Sequence, residues 1–221
     1  MRPIQAVLTG DLVASSEASA SAVNRSMELL AATSRGIAAW RISENTVVGD
    51  TYFTRFRGDG WQIVVPAGAF GLRAALLTYA TLAAKADLPK TRVAVGLSTI
   101  DAIPGTDLSD AAGAAFELSG RALARMERGE RLKVAGNRIT PLRTAFIALL
   151  NDRIIDWTVE QAQAIVLALP PDAPTQTVMA ERLGISPQAL SYRLTGAKWP
   201  TIRRILHEWE KPRPPEDRNH D

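Results

Sequence analysis

Phe53-Thr54-Arg55-Phe56-Arg57-Gly58-Asp59-Gly60-Trp61-Gln62-Ile63-Val64-Val65 consists of two β-forming runs around a glycine-flanked turn. Aromatic and β-branched residues suit a pleated surface, and Gly-Asp-Gly accepts a tight turn. The stretch therefore predicts a hairpin, with its first run beginning near Val47 and its second closed by Pro66 and Gly68.

On the N-terminal side, the apolar run Ile4 to Leu8 stops at Thr9-Gly10-Asp11, as a buried strand followed by a turn would. Between Ser19 and Trp40, Val23, Met27, Leu30, Ala31 and Ile37 recur at helical spacing. On the C-terminal side, Ala69 to Ala86 reads as a helix, Thr91 to Thr99 as a central strand and residues 101–109 as a loop. Asp110 to Glu127 reads as a helix, Arg131 to Ile139 as a strand pair around Gly136-Asn137, and Leu142 to Ile155 as another helix. The order β-α-β-β-α-β-α-β-α predicts an α+β domain over residues 1–155. It would be one ferredoxin-like or palm-like sheet with helices covering one face.

Beyond it, residues 156–210 read as a small all-α module. Thr158 to Leu169 is helical up to Pro170-Pro171, and Thr175 caps a second helix that runs to Leu183. Gly184 sits where a helix C-terminus favours glycine, and Ser186 caps a third helix with Pro187 in its first turn. Trp199 to Trp209 is a fourth. Two short helices joined through Leu183-Gly184-Ile185-Ser186 have the helix-turn-helix pattern, and Met179 to Ser191 resembles that element of many bacterial regulators. Gln188, Ser191, Tyr192, Arg193 and Lys198 then fall on or near the recognition helix, with donors suited to the edges and phosphates of double-stranded DNA. Thr175 to Lys211 carries six Lys/Arg against three Asp/Glu. The competing reading is a helical hairpin used only for packing or dimerisation. The polar, proline-rich tail, residues 211–221, reads as disordered.

Composition narrows the chemistry. The 221 residues contain no cysteine, which excludes disulfides, thiolate catalysis and Cys-type zinc sites. The two histidines, His207 and His220, lie near the C-terminus, so the larger domain has no histidine acid–base chemistry. A metal ion there needs oxygen ligands, which favours magnesium or manganese. A net charge of +3 is too small to argue for nucleic acid alone. The sequence has neither a long apolar run nor a signal-peptide pattern, so the expected setting is cytoplasmic, with no membrane.

Two carboxylates remain. Asp11 ends the first strand and Asp59 sits at the hairpin tip, so neighbouring strands would bring both to one sheet edge, as a metal-bound triphosphate requires. Ser15, Ser16 and the backbone after Asp11 would donate to phosphate oxygens. Both positions also read simply as turns.

Asp11 followed by Gly58-Asp59 in a hairpin resembles the class III nucleotide cyclases and their catalytic-domain relatives. A third element of that family, Asp-x-x-Gly-x-x-x-Asn-x-x-x-Arg, matches the spacing of Asp110, Gly113 and Arg121, with Glu117 standing in place of Asn. The resemblance implies that Asp11 and Asp59 hold magnesium or manganese and that Asp110 and Arg55 read the base. Arg121 would stabilise phosphate charge, and Glu117 would occupy the ribose-orienting position. It also implies an active site shared between two subunits, hence a homodimer. Such a domain joined to a helix-turn-helix resembles the SatD-like proteins of bacteria. Three functions stay open: a DNA-binding regulator that binds a nucleotide, an active cyclase or nucleotidyl-transfer enzyme, and a catalytically dead dimerisation scaffold.

Overall fold

In the computed structural model, which describes residues 3–43, 46–56, 58–105, 107–137 and 139–211, strand β1 (Gln5–Leu12) is followed by helix α1 (Ala20–Ala38). Short strands β2 (Arg41–Ser43) and β3 (Thr46–Val47) pair with each other, and β4 (Tyr52–Phe56) and β5 (Gly60–Val65) form the expected hairpin. Helix α2 (Gly71–Ala83), strand β6 (Thr91–Ser98), helix α3 (Ala114–Ala124) and strand β7 (Leu132–Gly136) complete the α/β body. Helices α4 (Pro141–Ile155), α5 (Val159–Ala168), α6 (Gln176–Leu183), α7 (Pro187–Gly196) and α8 (Trp199–Glu210) follow. The expectation for the tail beyond Lys211 falls outside the described residues. No described helix is long and apolar enough to cross a membrane.

The main sheet has the order β4-β5-β1-β6-β7, antiparallel except for the parallel pair β6–β7. Three expectations are corrected. The hairpin's first strand starts at Tyr52, because Val47 pairs instead with Arg41. Where a strand pair was expected the described residues hold one strand, β7, which pairs in parallel with β6 while Gly136 abuts the backbone of Leu97. And β1 does not stop at Gly10 but continues through it to Leu12. A Cβ on Gly10 would lie 2.2 Å from the Trp61 ring and 2.3 Å from the Arg92 carbonyl, so glycine here permits a close approach and does not mark a turn.

The sheet is covered on both faces, not one. Ala6, Leu8, Ile63, Val65, Val93 and Val95 join the large core beneath α1 and α2. Their strand neighbours Val7 and Val64 face Leu108 and Ala115 on the α3 side, as the two-residue strand period requires. The Ala115 carbonyl lies where a Cβ of Gly96 would be, so α3 rests directly on the backbone of β6. A buried hydrogen bond between the hydroxyls of Thr9 and Ser119 (2.8 Å) fixes its rotation.

On the other side of the molecule α5 packs on α2, and the core continues into the C-terminal helices through Trp157, Ile165, Leu190, Trp199 and Leu206. All of α2 except Thr81 is buried. The Trp157 indole donates to the Ala197 carbonyl (3.1 Å) and its ring lies 6.1 Å from that of Tyr79. Local signals read from the sequence hold: Thr175 and Ser186 cap α6 and α7, and Gly184 takes a left-handed conformation at φ 64°; Thr158 caps α5 in the same way.

Candidate functional site

The pairing of β1 with both neighbours sets the site. Asp11 stands opposite Gly60 on β5, which brings Asp59 beside it, and opposite Arg92 on β6. The Leu12 amide donates to the Asp59 carbonyl (3.3 Å), tying the hairpin turn to the end of β1. Both carboxylates line one cleft of about 410 Å³, with Arg92, Glu127, Arg128 and Arg131 as its other charged walls.

Asp11 and Arg92 both lie on the α3 face, by the alternation along their strands. Arg92 donates from Nε to Asp11 Oδ1 (2.8 Å) and from Nη2 to Oδ2, a bidentate ion pair. The Asp11 hydrogen bonds, and then the charges of Asp11 and Asp59, hold the guanidinium proton more firmly than usual, outweighing burial. Ser15, in the short 3-10 turn Ser15–Glu17 after β1, donates its hydroxyl to Asp59 Oδ2. Ala14 enters that turn at φ 53°, a left-handed conformation that directs the chain back toward Asp59. Ser16 is exposed on the same turn.

These residues suit a hard divalent cation. Two carboxylates, here one near the end of β1 and one in the neighbouring hairpin turn, are the usual protein share of a magnesium or manganese site, with phosphate oxygens and water completing the shell. Among the described residues no group of three or more histidines, cysteines and carboxylates that could hold a metal ion gathers.

The other expected site residues lie elsewhere. Asp110 is exposed in the loop before α3, not on the helix, which starts only at Ala114. Glu117 and Arg121 are exposed on α3 and pair with each other (3.5 Å), and neither lines the Asp11–Asp59 cleft. Arg55 lies on the opposite, α1 face, donating to the Gly58 carbonyl (2.6 Å) and to Asn24 of α1 (2.8 Å). One chain thus brings Asp11, Asp59 and Ser15 together, and leaves Arg55, Asp110, Glu117 and Arg121 outside that cluster.

Arg92 and the 127–131 loop are what sequence reasoning missed. A lone arginine in the apolar strand Thr91 to Ser98 was the available signal. Arg128, with Arg121 and Arg125, reads as part of one helical stripe, but α3 ends at Ala124 and Arg128 falls in the loop at the cleft.

On the C-terminal helices, Gln188, Ser191 and Tyr192 form an exposed face of α7, with Tyr192 79% exposed, while Leu190 and Leu194 pack inward. Arg193 leans on α5, its Nη1 3.4 Å from Gln163 Oε1. Lys198 is exposed at the N-cap of α8, at φ 59°.

No protein-family model and no curated protein matches the chain. Among solved structures, a bacterial light-regulated adenylyl cyclase is similar over 58% of this chain and 42% of its own, at 15% identity and a TM-score of 0.43. The chain thus spans about two fifths of that protein. The guanylyl cyclase Cya2 is similar over 61% of this chain and 76% of its own, at 13% identity and a TM-score of 0.39. Superpositions this loose assign no residue a role.

Proposed function

We propose that the chain is a DNA-binding transcriptional regulator whose α/β body, residues 1–155, binds a metal–nucleoside triphosphate. The observation that carries the nucleotide half is the convergence of Asp11 and Asp59 on one cleft walled by arginines. Magnesium or manganese held there would bridge phosphate oxygens and offset their charge. Ser15 orients Asp59, and Ser16 and the backbone of the turn would donate to the same phosphates.

Residues 156–210 are then the DNA-binding module, with α6 and α7 as the helix-turn-helix. The support is the exposed polar face Gln188, Ser191 and Tyr192 over a buried Leu190–Leu194 edge, with Lys198 beside it. A homodimer would set two such faces at neighbouring half-sites, and nucleotide binding would shift their spacing and so the affinity for DNA.

The test uses the full chain, magnesium or manganese, and each of the four nucleoside triphosphates, followed by calorimetry and mass spectrometry, with Asp11→Ala and Asp59→Ala as controls. Metal-dependent binding without product, lost in both controls, is the expected result. A cyclic or oligomeric product would instead make the chain an enzyme, in which Arg121, outside the cleft of its own chain, would act from a second subunit. No binding would leave the body as a dimerisation scaffold.

A further inference from the structure

We propose that Arg92 is an exchangeable counter-ion, which holds Asp11 until a divalent cation takes that carboxylate and then turns to the phosphate oxygens that arrive with the cation. The inference rests on the metal–nucleotide reading above and assigns Arg92 a role in it.

The geometry sets up a competition. Both oxygens of Asp11 are engaged by one guanidinium, and the two side chains are only 25% and 32% exposed. With each oxygen already accepting from the guanidinium, a metal ion has to compete with Arg92 for the same carboxylate charge. A cation entering alone must displace the guanidinium, leaving a half-buried positive charge unpaired beside another positive charge. Arg128 and Arg131 line the same cleft and add to that repulsion, against the negative charges of Asp59 and Glu127.

A cation that arrives with phosphate meets a different situation. The planar donor fork of arginine fits phosphate as well as carboxylate, so Arg92 changes partner without becoming unpaired. Cation and phosphate therefore enter cooperatively, and the cleft takes up little free metal. The strand register makes the exchange local: Arg92 sits directly opposite Asp11, and a side-chain rotation suffices.

The test is a calorimetric titration of wild type, Arg92→Gln and Arg92→Lys with manganese chloride alone, and then with manganese tripolyphosphate. Tripolyphosphate carries the part that all four nucleoside triphosphates share. Arg92→Gln is expected to bind Mn2+ alone about tenfold more tightly than wild type and manganese tripolyphosphate about tenfold more weakly, with Arg92→Lys between the two on both measures. The opposite signs are the signature, since a merely structural role for Arg92 would weaken both. Near-ultraviolet circular dichroism, to which Trp61 contributes with its indole donating to the Thr91 hydroxyl (3.0 Å), checks that the tertiary packing around β6 is intact. Should Arg92→Gln fail that check, Arg92→Lys carries the same two comparisons. Wild type that binds a nucleoside triphosphate with Mn2+, while the variants gain no affinity for Mn2+ alone, overturns the exchange and leaves the nucleotide reading standing. Wild type that binds none overturns both.

Discussion

Arg73 on α2 and Glu210 at the end of α8 form a bidentate ion pair across 137 residues of sequence, Nε to Oε1 at 2.6 Å and Nη2 to Oε2 at 2.8 Å. The third arm of the guanidinium, Nη1, donates to the Leu169 carbonyl (2.7 Å), so one buried side chain ties α2 to the ends of α5 and α8. The pair is 9% and 12% exposed, and removal of either partner strands a charge away from water. Glu210→Ala is expected to destabilise the fold by about 3–5 kcal/mol in urea denaturation, whereas the double replacement Arg73→Met, Glu210→Leu recovers most of that loss. Equal losses in the single and double variants would show that the pair contributes nothing beyond packing.

Two glycines near α3 respond to alanine with opposite signs. At Gly96 the added Cβ meets the Ala115 carbonyl at 2.1 Å and the Ser119 amide at 2.7 Å, both backbone, so α3 must lift off the sheet and strain the Thr9–Ser119 hydrogen bond. The expected cost is about 1–3 kcal/mol. Gly120, inside α3, has no heavy atom within 4 Å of the added carbon, so Gly120→Ala gains about 0.5–1 kcal/mol from helix propensity. Thermal unfolding of the two variants against wild type measures both.

Tyr79 gives an alkaline signature. Burial pushes its hydroxyl from 10.0 up to about 12, with Arg131 opposing the shift. The folded state thus keeps the proton longer than the unfolded state, so stability is complete below pH 10 and declines as pH rises toward 12. A shift of this size is worth up to about 2.7 kcal/mol. In denaturant titrations across that range Tyr79→Phe is expected to lose less stability than wild type, and an identical decline in both would remove Tyr79 as the cause.

Lys198 separates fold from DNA affinity. It sits at φ 59°, where a side chain is strained and glycine is not. Lys198→Gly is therefore expected to raise stability by about 0.5–1 kcal/mol while weakening binding to double-stranded DNA and reducing the salt slope by about one. Undiminished binding across a salt series would exclude Lys198 as a phosphate contact.

What the sequence made legible was governed by local rules. Thr175, Gly184 and Ser186 fix the ends of α6 and α7 through their own backbone and side-chain hydrogen bonds, and Gly58 supplies the hairpin turn. The convergence of Asp11 and Asp59 followed from treating their strands as neighbours, and they are neighbours. What stayed hidden depends on contacts distant in sequence. Gly10 reads as a turn until Trp61 is seen crossing it. Arg92 reads as an isolated charge until β6 is known to pair with β1, and Arg128 as a helix residue until α3 is known to end at Ala124. Whether α3 covers the same face as α2 cannot be read from periodicity at all, because either face satisfies the same pattern.

Helix α2 has the sheet on one side and α5 on the other, and its buried surface has no second use. Division of the chain after Ile155 would yield an N-terminal fragment with one flank of α2 bare and a C-terminal fragment with no wall to fold against. The two stretches are therefore expected to melt in a single calorimetric transition. The helical region is then expected to fold in another protein only where a substitute for α2 is supplied.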